Sequence, residues 1–485
     1  MDTANATIVV YINGHQSTYS WSTFNQALQS SGCSSNGLDI LWMLFCTFQS
    51  MFILIGIASK SFQGMQMIAI AIIIALLSYA FTFALGFGQS GSFVGYDGFI
   101  FGGNFFHGNN TAIHLAFWLQ QLLVTLFLAT IILSNLERQL APPSLILYTL
   151  FVVVIVHPPI VHTVWSVSGW LSNLNDQSLF GVGVLDMAGS SIIHLTAGAS
   201  ILIALLLVPQ SKDDSFAWHQ FTTITSMKGL FIWLGWYGLI QVSTVSVQGT
   251  CSSVSMISAV NMTLSAAASG VTISIIRWKW TFVDENAINH GILSGLVAIS
   301  ASAPVVHPIS AIGIGIGSAI TFVFMDGLLS SHDIIGPRDA IAIHLGNGVF
   351  GLISATLLAS SSRLSEAAKC NQGLLYESNW NTTRSCGVWE QCDGHLGVKQ
   401  WAANCIGALV ILVWTTLSCF AFGRGMFYMG YMLPFAKDQP VSLLGDDDYS
   451  MISDGEFSIY HDFEDHEHGT IDDRSESHYL SRSLM

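Results

Sequence analysis

Residues Asp186–Gly198 read DMAGSSIIHLTAG, and they place an aspartate and a histidine inside an otherwise mostly apolar run. A second stretch, Ala340–Gly348, reads AIAIHLGNG. Both carry the pattern His-Leu-x-x-Gly, starting at His194 and His344. An ionisable group in an apolar span is costly and marks a functional site by default.

The surroundings of these stretches are built for lipid. Hydrophobic residues make up 51% of the 485 residues and charged residues 9%, against about 25% charged in a soluble domain. So few charges cannot coat a globular surface of this size. The net charge of −15 is concentrated at one end: residues 446–485 hold twelve Asp and Glu against two Arg. No basic region suits nucleic acid. Residues 1–37 are polar and lack the basic-then-apolar build of a signal peptide, so the first apolar run is expected to act as an uncleaved anchor.

A bilayer core needs roughly 20 apolar residues of helix. Such runs lie near 38–59, 65–88, 112–133, 142–165, 182–208, 221–245, 252–278, 284–306, 308–330, 339–360 and 401–423. The expected fold is therefore an all-α membrane protein of eleven transmembrane helices. With the N-terminus outside, the short inner loops carry Lys60, Arg138, Lys212, Arg277, Lys279, Arg338 and Arg424, and the short outer loops carry no Lys or Arg. That is the positive-inside arrangement. It divides the chain into an extracellular segment 1–37, a transmembrane domain 38–430 with an extracellular loop 361–400, and an acidic cytoplasmic tail 431–485 expected to be disordered. The orientation puts three glycosylation patterns outside, at Asn5, Asn109 and Asn381. It also puts Cys370, Cys386 and Cys392 in one outer loop, where a disulfide among them is expected.

The first ten spans divide into two sets of five, with His194 in the fifth and His344 in the tenth. The fifth runs inward and the tenth outward. That is the mark of two inverted five-helix repeats with a site between them near the mid-membrane, the eleventh span being an added helix. One buried histidine is well explained by a hydrogen bond to a neighbouring helix. Two at equivalent places, each beside small residues, point to a pore. Burial keeps such imidazoles uncharged, and each then offers one donor and one acceptor nitrogen. A facing pair can pass a small polar neutral molecule. Two histidines without a third ligand are a weak metal site, and neither a metal nor a cofactor is expected.

Asp186 lies eight residues before His194. It either stabilises a nearby cation or caps a helix N-terminus. Asp339, beside Arg338, suits a cap or an ion pair. Trp165, Gln120, Trp236 and Ser243 are polar-capable groups in apolar surroundings, and an aromatic face near an outer mouth can attract a cation.

These segments, in this order, resemble the ammonium transporter (Amt/Mep/Rh) superfamily, of which the chain looks like a divergent member. DMAGSSIIHLTAG is similar to its Asp-Phe-Ala-Gly-x-x-x-Val-His-x-x-x-Gly. FIWLGWYGLIQVST, NMTLSAAASGV, GILSGLVAISASAPVVHP and RDAIAIHLGNGVFGLIS resemble later segments. The resemblance covers roughly residues 38–430. It implies a homotrimer with one pore per subunit in the plasma membrane, with His194 and His344 as the paired pore histidines. It also implies that Asp186, Trp165, Ser243 and Gln120 recruit ammonium, which is deprotonated and passed on as ammonia. The family stacks two phenylalanines across the outer pore. Here those positions fall on Leu123 and Leu239, with Ile240 in place of an asparagine and Val242 in place of a glycine. Leucine blocks water but has no ring face for a cation.

The expected activity is transmembrane transport of ammonium or ammonia, not enzymatic catalysis. Two alternatives stand beside it. One is an ammonium-sensing receptor that signals through the tail, where Tyr449, Ser450, Ser453, Ser458 and Tyr460 are candidate phosphorylation sites and a cytoplasmic regulator is a possible partner. The other is a neutral gas or water channel.

Overall fold

The structure is a computed structural model and describes residues 7–12, 15–20, 37–57, 61–88, 91–102, 106–107, 111–208, 226–241, 244, 246–249, 251–278, 285–334, 336–371, 385–389 and 395–431. All lie in one unit, Met1–Phe435. Asn5, Asn109, Asn381, Cys392, Ser243 and the acidic tail lie outside the described residues.

Nine described helices are long and apolar enough to cross a bilayer. They are α1 (Gly37–Ile57), α2 (Ile68–Phe87), α3 (Thr111–Leu136), α4 (Pro142–Trp165), α5 (Ser190–Leu207), α7 (Cys251–Ile276), α9 (Pro308–Ser331), α10 (Arg338–Leu358) and α11 (Leu396–Tyr428). Two shorter helices, α6 (Ser226–Gln241) and α8 (Glu285–Ile299), fall below that length. The chain is thus an all-α, multi-pass membrane protein. Its one described sheet is a hairpin near the N-terminus, β1 (Thr7–Ile12) paired antiparallel with β2 (His15–Ser20) from Thr7↔Ser20 to Ile12↔His15. The intervening sequence is Asn13-Gly14, a strong two-residue hairpin signal.

Burial sorts the helices into an inside and an outside. In α3, α4, α5 and α10 at least 72% of the most apolar window is buried, whereas in α1, α7, α9 and α11 the share is at most 39%. The outer helices expose Leu41 and Phe45, Met256, Ile320 and Phe324, and Leu409 and Leu417. Apolar surface of this extent suits contact with lipid rather than water.

Two spans are shorter than their apolar composition suggests. The run 182–208 becomes helical only at Ser190, and the run 284–306 leaves the helix after Ile299. The two non-helical segments meet, and Ser190 at the head of α5 bridges them to α8. Met187 N–H donates to Ala301 O at 3.1 Å. Ser190 Oγ donates to Val297 O at 2.6 Å and accepts from Ala301 N–H at 2.8 Å. Irregular backbone is tolerated at membrane depth where protein buries it in this way.

The loop cysteines correct one expectation. Cys370 pairs with Cys251, at the start of α7, and not with another cysteine of its own loop. The reason is a short surface helix, Ser361–Asn371, that folds back so that Leu364, Ala367 and Ala368 join Val254 and Leu185 in a small apolar cluster. The sequence separation of 119 between the two cysteines therefore does not separate them in space. Cys386 is also disulfide-bonded.

Candidate functional site

His194 and His344 each sit in a π-helical turn, Ser190–Leu195 at the head of α5 and Ala342–Gly346 near the head of α10. In the first turn His194 N–H reaches back five residues to Gly189 O at 3.3 Å. Such widened turns recur at functional sites. The two helices touch through their shared sequence pattern. A Cβ on Gly348 would come within 2.7 Å of Leu195 N, and one on Gly198 within 2.7 Å of Leu345 Cα. Each glycine therefore lies on the residue that follows the other helix's histidine, and neither position has room for a side chain.

This contact brings the imidazoles together. Nδ1 of His194 lies 3.1 Å from Nδ1 of His344, with the rings only 10° from parallel. His194 is fully buried, His344 is 8% exposed, and Nε2 of His194 has no hydrogen-bond partner. An Nδ1–Nδ1 bond between neutral rings needs one donor and one acceptor. The ring that donates at Nδ1 keeps an acceptor at Nε2, and the ring that accepts keeps an Nε2–H donor. The pair therefore presents one of each.

Aromatic rings hold the pair. Trp236 of α6 stacks on His194 with centroids 5.2 Å apart and planes 10° apart. Trp236 is itself fixed, because Nε1–H donates to Ser300 Oγ at 3.1 Å and Ser300 Oγ donates to Leu296 O at 2.8 Å. Phe127 of α3 meets both rings edge to face, at 5.5 Å from His194 and 5.3 Å from Trp236.

Ahead of α5, Asp186 is buried and its carboxylate is fully used. Oδ1 accepts from Gly189 N–H at 2.8 Å and Ser190 N–H at 3.0 Å. Oδ2 accepts from Ser191 N–H at 2.7 Å, Ser191 Oγ at 2.6 Å and Ile192 N–H at 3.3 Å. The geometry is that of a helix cap, which satisfies the otherwise orphaned amides of the first turn. Gly189 takes φ +92° to let the chain turn into the helix, a conformation that glycine reaches without steric cost. The backbone carbonyl of Asp186 also accepts Trp165 Nε1–H at 2.6 Å. Asp186 thus joins Trp165 to the helix that bears His194.

Residues 40–439 match the Ammonium Transporter Family. The chain belongs to that family. It is 26% identical over 371 residues to ammonium transporter 1 member 3 of Solanum lycopersicum, covering 71% of this chain and 78% of that protein. It is 30% identical over 299 residues to ammonium transporter 3 of Dictyostelium discoideum, covering 58% and 64%. The solved structure of a Sensor Amt Protein matches with a TM-score of 0.66 at 21% identity, over 81% of this chain and 94% of that one. Saccharomyces cerevisiae Mep2 matches with a TM-score of 0.66 at 19% identity, over 83% and 88%. At such identities the two structures speak for the fold alone.

This member of the ammonium transporter family, a transporter by class, carries the histidine pair, and leucine stands at the two positions where a ring is expected. Leu123, one turn before Phe127 on α3, and Leu239, one turn after Trp236 on α6, are both buried. Gln120 lies on α3 one turn before Leu123, buried, with Oε1 unpartnered. Asp339 heads α10, and its Oδ2 lies 3.2 Å from Nε2 of His290 on α8. Among the described residues no three His, Cys, Asp or Glu gather as a metal site.

Sequence reasoning missed three residues. Phe127 follows Leu123 by four and so shares its helix face, which is a usable signal. Ser300 carried no signal, because it lies in a run that reads as continuous apolar helix. Asp39, at the head of α1, is buried and accepts from Ser246 Oγ at 2.9 Å, Val247 N–H at 2.9 Å and Gln248 Nε2 at 2.7 Å. It pins the loop that follows α6.

Proposed function

We propose that the chain captures ammonium at an outer mouth lined by Trp165, Asp186, Ser243 and Gln120, where the cation gives up a proton to water, and conducts ammonia past His194 and His344. The observation that carries this reading is the 3.1 Å contact between Nδ1 atoms of two buried imidazoles. Ammonia offers both N–H donors and a lone pair. The pair's remaining acceptor and donor match it, whereas a cation finds no compensating negative charge on either ring. Asp186 acts by fixing the backbone at the mouth and by orienting Trp165, whose ring face attracts a cation.

Counting α6 and α8 as crossings gives eleven helices, with the N-terminus outside and the C-terminus cytoplasmic in the plasma membrane. The reciprocal Gly198–Leu345 and Gly348–Leu195 contacts support two inverted five-helix repeats about the site. The assembly is a homotrimer with one pore per subunit, glycosylated at Asn5, Asn109 and Asn381. The acidic tail receives a cytoplasmic regulator. Uptake of ammonium by cells that lack their own ammonium uptake tests the reading. Uptake above an empty-vector control supports it, and none, with the protein at the surface, contradicts it.

A receptor that reports ammonium through its tail is favoured by one observation, the rings missing at Leu123 and Leu239. Deleting 446–485 spares flux in a conductor and abolishes signalling in a receptor. Permeability to carbon dioxide or water without saturation by ammonium identifies a neutral gas channel instead.

A further inference from the structure

We infer that Phe127 is the specificity-determining residue of this pore, its ring being the steric filter that a small amine must pass to reach His194. The inference rests on the histidine pair being the cargo path. Three rings enclose His194: Trp236 stacks on it, His344 meets it through the Nδ1 pair, and Phe127 closes a further side at 5.5 Å with its plane turned by 80°.

The three differ in how they are held. Trp236 is tied through Nε1 to Ser300, and His344 is tied to His194 itself. Phe127 has no polar atom and is held by packing alone. The two histidines also differ in access, since His344 keeps 8% exposure and His194 keeps none. Yet Nε2 of His194 is a hydrogen-bonding atom without a partner. A molecule that exchanges a hydrogen bond there has to displace a neighbouring group, and of the three rings Phe127 is the one no hydrogen bond restrains.

A filter of this kind separates ammonia from methylamine. Both carry the same hydrogen-bonding groups, and they differ by one methyl. A single methylene is discriminated by about 10-fold to 200-fold in a close-fitting apolar pocket. Removing the ring relaxes that discrimination without touching the histidine pair.

The test uses the purified full-length protein in proteoliposomes, with uptake of ammonium and of methylammonium measured in parallel. Phe127→Ala is expected to raise the methylammonium-to-ammonium ratio about tenfold. Phe127→Leu, which keeps most of the packing, is expected to raise it by less. Leu128→Ala, an equally buried truncation on the same helix, keeps the parent ratio. Both Phe127 variants at the parent ratio, or a Leu128→Ala shift as large as theirs, would overturn the inference. If the parent carries neither amine, the proposed function fails, and osmotic water permeability then decides the filter. A rise in both Phe127 variants supports it, and parent values overturn it.

Discussion

The backbone of Gly348 lies directly on Leu195, the residue after the first pore histidine. Gly198 stands in the same relation to Leu345, after the second. The repeated His-Leu-x-x-Gly is therefore a contact motif. Each glycine sits one turn beyond its own histidine and brings the opposite helix close enough for the Nδ1 atoms to meet.

A methyl group at either glycine should push the helices apart. Gly348→Ala and Gly198→Ala are each expected to cost about 1–3 kcal/mol, the usual penalty for overpacking, and to remove ammonium flux. A thermal melt of the detergent-purified protein alongside a flux assay checks this. Parent-like melting and flux in both variants would contradict the close approach.

Asp186 is expected to matter through its lone pairs rather than its charge. Asp186→Asn keeps an acceptor toward part of the turn, and Asp186→Ala loses all five bonds. The cap principle puts the alanine cost at about 0.5–2 kcal/mol. The asparagine variant should therefore melt between parent and alanine. Equal melting of all three would show that the first turn of α5 does not depend on this side chain.

Ser300→Ala leaves the buried Trp236 N–H without an acceptor, at a cost of about 1–3 kcal/mol. Trp236→Phe removes the donor and the orphan together. The double variant should then lose less than the two single losses added, and a double-mutant cycle of melting temperatures reads that coupling. Strict additivity would mean that the Trp236–Ser300 bond does not hold the ring.

The Cys251–Cys370 bond closes a long loop, its cysteines standing at a sequence separation of 119. Disulfides typically contribute about 2–4 kcal/mol. Cys251→Ser, Cys370→Ser and the double variant should therefore melt lower than the parent and alike, since each removes the same bond. A double variant clearly lower than both singles would argue against that pairing.

Much of this fold was legible in the sequence because lipid imposes length and composition together. The runs 142–165 and 308–330 match Pro142–Trp165 and Pro308–Ser331 closely, since a proline opens each helix. The ends 182–189 and 300–306 were illegible for a physical reason. Their backbone groups are satisfied by side chains distant in sequence, Asn404 for Leu185 and Asn261 for Ala303 and Val306, so nothing local reveals that they are not helical. The histidine pair was legible from its repeated pattern. Its aromatic enclosure was legible only in part, because Trp236 stands out as a polar-capable group whereas Phe127 looks like an ordinary core residue until its ring is placed. The partner of Cys370 was hidden by a sequence separation of 119.

The most direct measurement is ammonium uptake by the parent, His194→Ala and His344→Ala in cells without their own uptake, with surface amounts matched. The account predicts uptake by the parent and its abolition or strong alteration in both variants. Parent-level uptake that survives loss of either ring would contradict it.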